Sequence, residues 1–369
     1  MNNLSSPPAG LRRLPRLVGR QGLAQALAGG AAYGQRLGDA EQGELRAPAR
    51  LSLDAAQPVA VDDQRAAEAQ EGRRVYRVGV VNEAFAATHP TVEGLKAGLR
   101  EAGLAEGRDV VYDIRFTEGD AQGARPAVAA LLKAGVDLLM TSGENPTQAA
   151  KDATTSVPIV FTLVGDPLAS GLVRNLDAPE ANVTGVSGLQ TELAAKRLEI
   201  LKTLVPGLRR VWLIHYGGDL TANRTIVGAR DAAPRVKVEL VPRPVLNAQE
   251  LAHALGEVRG GDGLLAPEIS TLDIPVAILN ASLKSRTPAV FTSALWVGHG
   301  GLASYGPDYY AQGVQAAGLV ARLLRGAKPV DVPVEGADRI ELAVNLKTAD
   351  LLGITVPRKV MLRAETFRR

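Results

Sequence analysis

Val157-Pro158-Ile159-Val160-Phe161-Thr162-Leu163-Val164-Gly165-Asp166-Pro167 is the stretch on which the fold turns. Its apolar run, Ile159 to Val164, stops at Gly-Asp-Pro, a turn signal, and so reads as a buried parallel strand. Open α/β sheets hold ligands just past the carboxyl ends of such strands. The chain runs on through Leu168-Ala169-Ser170-Gly171-Leu172-Val173 to Asn182-Val183-Thr184-Gly185-Val186-Ser187, a polar, Gly-containing segment that enters a helix. A strand that ends in a ligand-type loop, followed by an exit from its sheet, predicts two lobes and a cleft. Asn182 to Ser187 reads as the first crossing between the lobes.

Working outward, strands alternate with helices on both sides of this stretch. Upstream, strands are expected over Val75–Val81, Val110–Phe116 and Val136–Met140, with helices over Pro90–Ala102, Ala124–Ala134 and Pro146–Thr154. The pattern then restarts: a helix over Glu192–Leu204, a strand over Arg209–Tyr216, a helix over Ala222–Ala232 and a strand over Val236–Val241. Ala248–Val258, Gly263–Ala266, Ile274–Leu283 and Pro288–Thr292 continue it as helix, strand, helix and strand. Such alternation implies right-handed crossovers and parallel sheets. Beyond a Gly-rich Gly298–Gly306 come a helix over Tyr309–Leu324, a strand over Ile340–Val344 and a helix over Leu346–Leu352. The expected fold class is therefore α/β, two Rossmann-like lobes with parallel sheets joined by crossing hinge strands. Lobe 1 is expected over 75–185 plus part of 291–325, and lobe 2 over 186–290 plus part of 326–369.

Residues 1–74 read differently. They contain no Lys, are rich in Ala, Gly, Arg and Gln, and lack a sustained apolar period, so no packed core is expected there. Arg12-Arg13 and Leu27 to Ala32 faintly resemble an export signal, but Arg20, Gln21 and Gln25 interrupt its apolar part. A disordered leader or a mis-called extension is the expectation.

The 369 residues carry 46% hydrophobic and 22% charged residues, enough for one large or two medium globular domains. A net charge of +3 without a basic block, and 4% aromatic residues, speak against nucleic acid as a partner. With no cysteine, disulfides, thiol nucleophiles and thiolate metal sites are excluded. The four histidines, His89, His215, His253 and His299, have no metal-ligand spacing. There is no Gly-x-Ser-x-Gly elbow and no phosphate-binding Gly-rich loop. Catalysis is not expected, and neither is a cofactor or metal.

From about Val75 onward the chain resembles the ABC transporter substrate-binding protein family, tryptophan/tyrosine-type, with a type I periplasmic binding protein fold. The resemblance lies in Tyr76-Arg77-Val78-Gly79-Val80, Gly165-Asp166-Pro167, Asn182-Val183-Thr184-Gly185, Ser304-Tyr305-Gly306-Pro307, Leu324-Arg325-Gly326-Ala327-Lys328-Pro329 and Asn345-Leu346-Lys347-Thr348-Ala349. It implies an extracytoplasmic or periplasmic protein that captures an amino acid or related small molecule by hinge closure. It also implies delivery to ABC permease membrane subunits; a monomer is expected. The alternative function is a ligand-sensing module of a signalling or regulatory system.

Candidate ligand-binding residues follow from strand ends. Asn82 and Glu83 follow the first strand, and Glu83 either pairs with a ligand amine or is a solvated loop carboxylate. Ser142, Asn145 and Thr147 lie between a strand and a helix, where free N–H groups can receive a carboxylate; the same residues also suit ordinary helix capping. Thr162 either faces the cleft or fills the sheet. Asp166 either binds an ammonium or shapes its turn. In the second lobe, Tyr216, Glu268, Ser293 and Trp296 end strands, and Trp296 offers either a flat ligand-facing ring or hinge packing. His89 reads as a helix-start residue, and Tyr305 as hinge packing or ligand contact.

Overall fold

In the computed structural model, residues 74–83, 89–118, 120–179, 181–219, 221–268 and 271–367 are described. The expected leader therefore lies, apart from Arg74, outside the described residues.

The first lobe begins with β1 (Tyr76–Asn82), α1 (Pro90–Glu101), β2 (Val110–Phe116), α2 (Ala124–Lys133), β3 (Leu138–Ser142) and α3 (Glu144–Ala153). β4 (Ile159–Val164) and β5 (Val183–Ser187) follow. The second lobe then opens with α4 (Gln190–Leu204), β6 (Arg210–Tyr216), α5 (Ala222–Ala232), β7 (Glu239–Val245), α6 (Ala248–Glu257) and β8 (Asp262–Leu265). It continues with α7 (Ile274–Ser285), β9 (Ala289–Phe291), the short α8 (Ala294–Gly298) and β10 (Ala303–Pro307). The chain returns through α9 (Tyr309–Leu324) and β11 (Glu335–Gly336), then ends on β12 (Ile340–Asn345), α10 (Leu346–Leu352), α11 (Arg358–Met361) and β13 (Glu365–Phe367).

Two sheets result. The first has the order β11-β5-β4-β3-β1-β2 and is parallel throughout. The second has the order β13-β12-β10-β9-β8-β6-β7 and is parallel except where β12 runs against β10. In the first sheet alternate side chains feed opposite layers, as the strand period requires. Val78 and Val80 pack with α1 and α9, while Val81 packs with α2 and α3. Helices thus cover both faces, which a parallel sheet requires.

β7 contains Pro242 and Pro244, and the sheet places it on an edge. The Glu239 N–H donates to Arg209 O of the neighbouring segment at 2.7 Å, so odd-numbered residues point their N–H groups inward. Both prolines fall on the outward side, where no partner N–H is missed.

Two sequence expectations change here. Asn182 to Ser187 is not itself the crossing: Val183–Ser187 is a paired strand of the first sheet, and the chain leaves it only at Gly188 and Leu189. The Gly-rich Gly298–Gly306 contains a strand, β10, that pairs with β9 and β12. The return into the first lobe then follows β10, and α9 lies on α1. Their backbones approach so closely that a Cβ on Gly94 would sit 2.1 Å from Tyr310 O, and one on Gly313 2.2 Å from Thr91 O. Only glycine permits that approach, so this contact fastens the late helix to the early lobe.

The chain passes between lobes three times: after β5, after β10 and after β11. The crossings lie side by side. Ala337 N donates to Ser187 O at 3.0 Å, Asp308 N to Arg339 O at 3.0 Å, and the Gln312 amide to Val186 O at 3.3 Å.

Candidate functional site

The carboxyl ends of both sheets face one cavity of about 170 Å³. Its first-lobe wall includes Asn82, Glu83, His89, Ser142, Glu144 and Asn145; its second-lobe wall includes Arg197, His215, Asp219, Glu268, Asp273 and Trp296. Tyr309, at the start of α9 beside a crossing, closes the back.

On the first-lobe side α3 begins at Glu144, two residues earlier than the expected Pro146, and Pro146 is accommodated within the first turn. Gly143 precedes it with φ +107. A Cβ there would sit 2.5 Å from Glu83 Oε2, so the Glu83 carboxylate rests against the amino end of α3. The place expected to receive a ligand carboxylate is thus occupied by the protein's own acid, which suits the partial positive charge of a helix start. Glu144 stands beside it, half-buried, and forms no hydrogen bond or ion pair with any described residue. Burial, together with Asp219, Glu268, Glu83 and Asp166, pushes its carboxyl up to about 8.

The second-lobe side is wired differently. Arg197 on α4 is 3% exposed. It donates from Nε to Tyr305 O at 2.7 Å and from Nη1 to Gln190 O at 3.4 Å, while Nη2 has no hydrogen-bond partner among the described residues. Burial lowers its guanidinium to about 10, so it stays charged at neutral pH. Glu268 accepts from the Tyr309 hydroxyl at 3.1 Å. Burial raises Glu268 to about 7, against the pull of Arg197, Tyr309 and Gln190.

His89 caps α1: its Nδ1 accepts from Thr91 N at 3.3 Å and lies 2.7 Å from Thr91 Oγ1, as its reading as a helix-start residue required. Its ring stacks on Tyr309 at 5.6 Å, and burial lowers its pKa to about 4, so it is neutral in the cleft. Trp296 stacks on Phe291 at 5.9 Å and lines the cavity. Leu163 and Asp273, both on the wall, have φ of +55 and +51, conformations that cost energy and gather at ligand-facing backbone.

Of the sequence candidates, Asn82, Glu83, Ser142, Asn145, Glu268 and Trp296 line the cavity. The others do not. Thr147 donates to Gly143 O at 2.6 Å and meets Thr141 Oγ1 at 2.8 Å inside the lobe. Thr162 is spent on Ser142, with the two hydroxyls 2.9 Å apart. Ser293 is buried at the start of α8. Tyr216 ends β6 with its ring over Gly218, and strand alternation presents His215 to the cavity instead. Asp166 does shape its turn, with Oδ1 accepting from Leu168 N at 3.1 Å and Ala169 N at 2.9 Å. Its other oxygen crosses to the second lobe, meeting Thr191 Oγ1 at 3.1 Å and Arg224 Nη1 at 3.3 Å. It is a tie between lobes at the cleft rim.

Glu144, Arg197, Asp219 and Tyr309 were not singled out from the sequence. Glu144 lies within the Thr141-Ser142-Gly143-Glu144-Asn145-Pro146-Thr147 stretch, and an unpaired acid after a helix-opening glycine was the available signal. Arg197 sits in a helix whose sequence looks like a surface helix, and nothing local marks it.

Residues 81–367 match the family described as ABC transporter substrate binding protein. A tyrosine-binding protein of Clostridioides difficile (strain R20291) is 27% identical over 72% of this chain and 78% of its own length. Among solved structures, a conserved domain protein of Vibrio cholerae O1 biovar El Tor is 28% identical, with a TM-score of 0.71 over 80% of this chain and all of that one. The ABC domain of a Streptococcus pneumoniae protein in complex with L-Trp is 24% identical, with a TM-score of 0.70 over 80% of this chain and all of that one, and it speaks to the fold alone. The fold is that of the type I periplasmic binding proteins.

Proposed function

We propose that this chain, which belongs to the ABC transporter substrate-binding protein family, captures an amino-acid-like small molecule between its lobes and presents it to an ABC permease on the extracytoplasmic side of the membrane. One observation carries the reading: a single cavity is walled by the strand ends of both sheets. Membership of this family makes the protein a solute binder rather than an enzyme. No described helix is long and apolar enough to cross a membrane.

The mechanism follows from the walls. A ligand that touches both lobes favours the closed arrangement by the amount it binds that arrangement better. Arg197 Nη2 has spare donor capacity for a ligand carboxylate. The acids of the first-lobe wall face a ligand amine, and Trp296 offers a flat surface to its apolar part. The ties of Asp166 to Thr191 and Arg224 hold the rim as the lobes meet.

The test is a thermal-shift screen of the twenty amino acids, followed by calorimetry on those that respond. A ligand at 100 times its dissociation constant stabilises the bound form by about 2.7 kcal/mol, a readily measured rise in melting temperature. If no amino acid raises the melting temperature, the reading fails.

A further inference from the structure

The charge balance of the cavity narrows the ligand class. Its described lining holds five acidic side chains, Glu83, Glu144, Asp219, Glu268 and Asp273, against the single guanidinium of Arg197. Arg197 already stands against Glu268 and two backbone carbonyls. Asp219 accepts from Thr221 N and Oγ1, both at 2.8 Å, and Glu83 rests against the start of α3. Asp273 has an interaction of its own, which leaves Glu144 as the acid with neither a hydrogen bond nor a cation among the described residues. An ordinary zwitterion adds no net charge: its carboxylate would answer Arg197 Nη2, its ammonium one acid, and the wall would remain negative.

We infer that the cleft selects amino acids with a basic side chain, and that Glu144 receives the side-chain cation. This rests on the reading of the cleft as an amino-acid site. A guanidinium suits the place better than an ammonium. It can pair with a carboxylate through two parallel bonds while lying flat on an aromatic face such as that of Trp296.

A proton accompanies the event. Glu144 is faced from its own lobe by Glu83 and Asp166, and from the other lobe by Asp219 and Glu268, the last beside Arg197 and Tyr309. Surrounded by acids, Glu144 keeps its proton up to about pH 8 in the empty cleft. An arriving cation makes ionisation favourable, so binding releases a proton below that pH, and affinity for a permanently charged guanidinium rises with pH up to it.

The experiment is isothermal titration of the full chain with L-arginine, L-lysine, L-tyrosine and L-tryptophan, between pH 6 and pH 9, in buffers of different ionisation enthalpy. L-Arginine should bind about tenfold or more tightly than L-tyrosine, with proton release at pH 7. Glu144→Gln should erase that preference and the proton release, while its thermal unfolding stays cooperative. Tighter binding of tyrosine or tryptophan than of either basic amino acid would overturn the inference and leave the cleft reading intact. So would unchanged arginine affinity in Glu144→Gln. Binding of none of the four, alongside an unresponsive screen, would remove the cleft reading itself.

Discussion

The two walls of the cleft are built from the same strand-then-helix unit, yet they manage charge in opposite ways. In the second lobe a buried carboxylate, Glu268, has its cation in Arg197 and a donor in Tyr309. In the first lobe Glu144 has neither, and its neighbours are acids. A buried charge that is paired can be held permanently; one that is not must take up a proton or await a partner. The second wall therefore carries its own cation and offers one spare donor, Arg197 Nη2, while the first wall carries an acid that has no cation of its own.

The most severe way to break this comparison is Arg197→Ala. It removes the cation nearest Glu268 and leaves the Tyr305 and Gln190 carbonyls without their buried donor, which costs about 2–3 kcal/mol by urea unfolding. Ligand affinity falls with it. Little loss of stability would mean that Glu268 is held by its proton and the Tyr309 hydroxyl.

The pH dependence of the empty protein separates the walls next. Glu144 at about 8 and Glu268 at about 7 keep protons that the unfolded chain has lost above about 4.5. The native state then binds more protons, so their contribution to stability is complete at low pH and is lost as pH rises through 7 and 8. His89 works at the other end: held neutral down to about 4, it costs stability as pH falls from 6.5 toward that value. The melting temperature should pass through a maximum in mildly acidic solution. Glu144→Gln should flatten the alkaline side of that curve, and a fall as steep as in the parent would show that the first wall is not the source.

Asp166→Ala tests the rim and should cost about 1–2 kcal/mol, since it removes both the turn bonds and the tie across the lobes. Arg224→Ala removes only the half-exposed end of that tie and should cost under about 1 kcal/mol. The two variants should differ more in melting temperature than in the small-angle scattering radius of the ligand-free protein. Tyr216→Phe should change ligand affinity least of all, by calorimetry less than about twofold, because strand alternation turns its ring out of the cavity.

Much of the architecture was legible in the sequence because it depends on local periods. β2, β4, α5, α9 and α10 have the boundaries that apolar spacing, prolines and glycines indicated. The strand in Ala303–Pro307 was hidden because its Gly-rich surroundings give no alternating pattern; its pairing with β9 and β12 makes it a strand. The site was legible only in part. Asn82, Glu83, Ser142, Asn145, Glu268 and Trp296 reach the cavity as strand-end residues should. Tyr216 was misplaced by one residue of a two-residue period. Thr147 and Thr162 turned inward to two hydroxyls of β3, those of Thr141 and Ser142.

The sequence alone determined the alternation of strands and helices, its restart near Arg209, and the loops that end at the cleft. These are written in short-range spacing, and the free energy of burying apolar faces enforces them. Only the tertiary structure decided which charges meet. It brought Arg197 to Glu268, turned Glu83 onto the start of α3, stretched Asp166 across to Arg224, and left Glu144 facing other acids. Electrostatic partnership depends on distances between residues far apart in the chain and on the solvent excluded between them, and neither is written in local spacing.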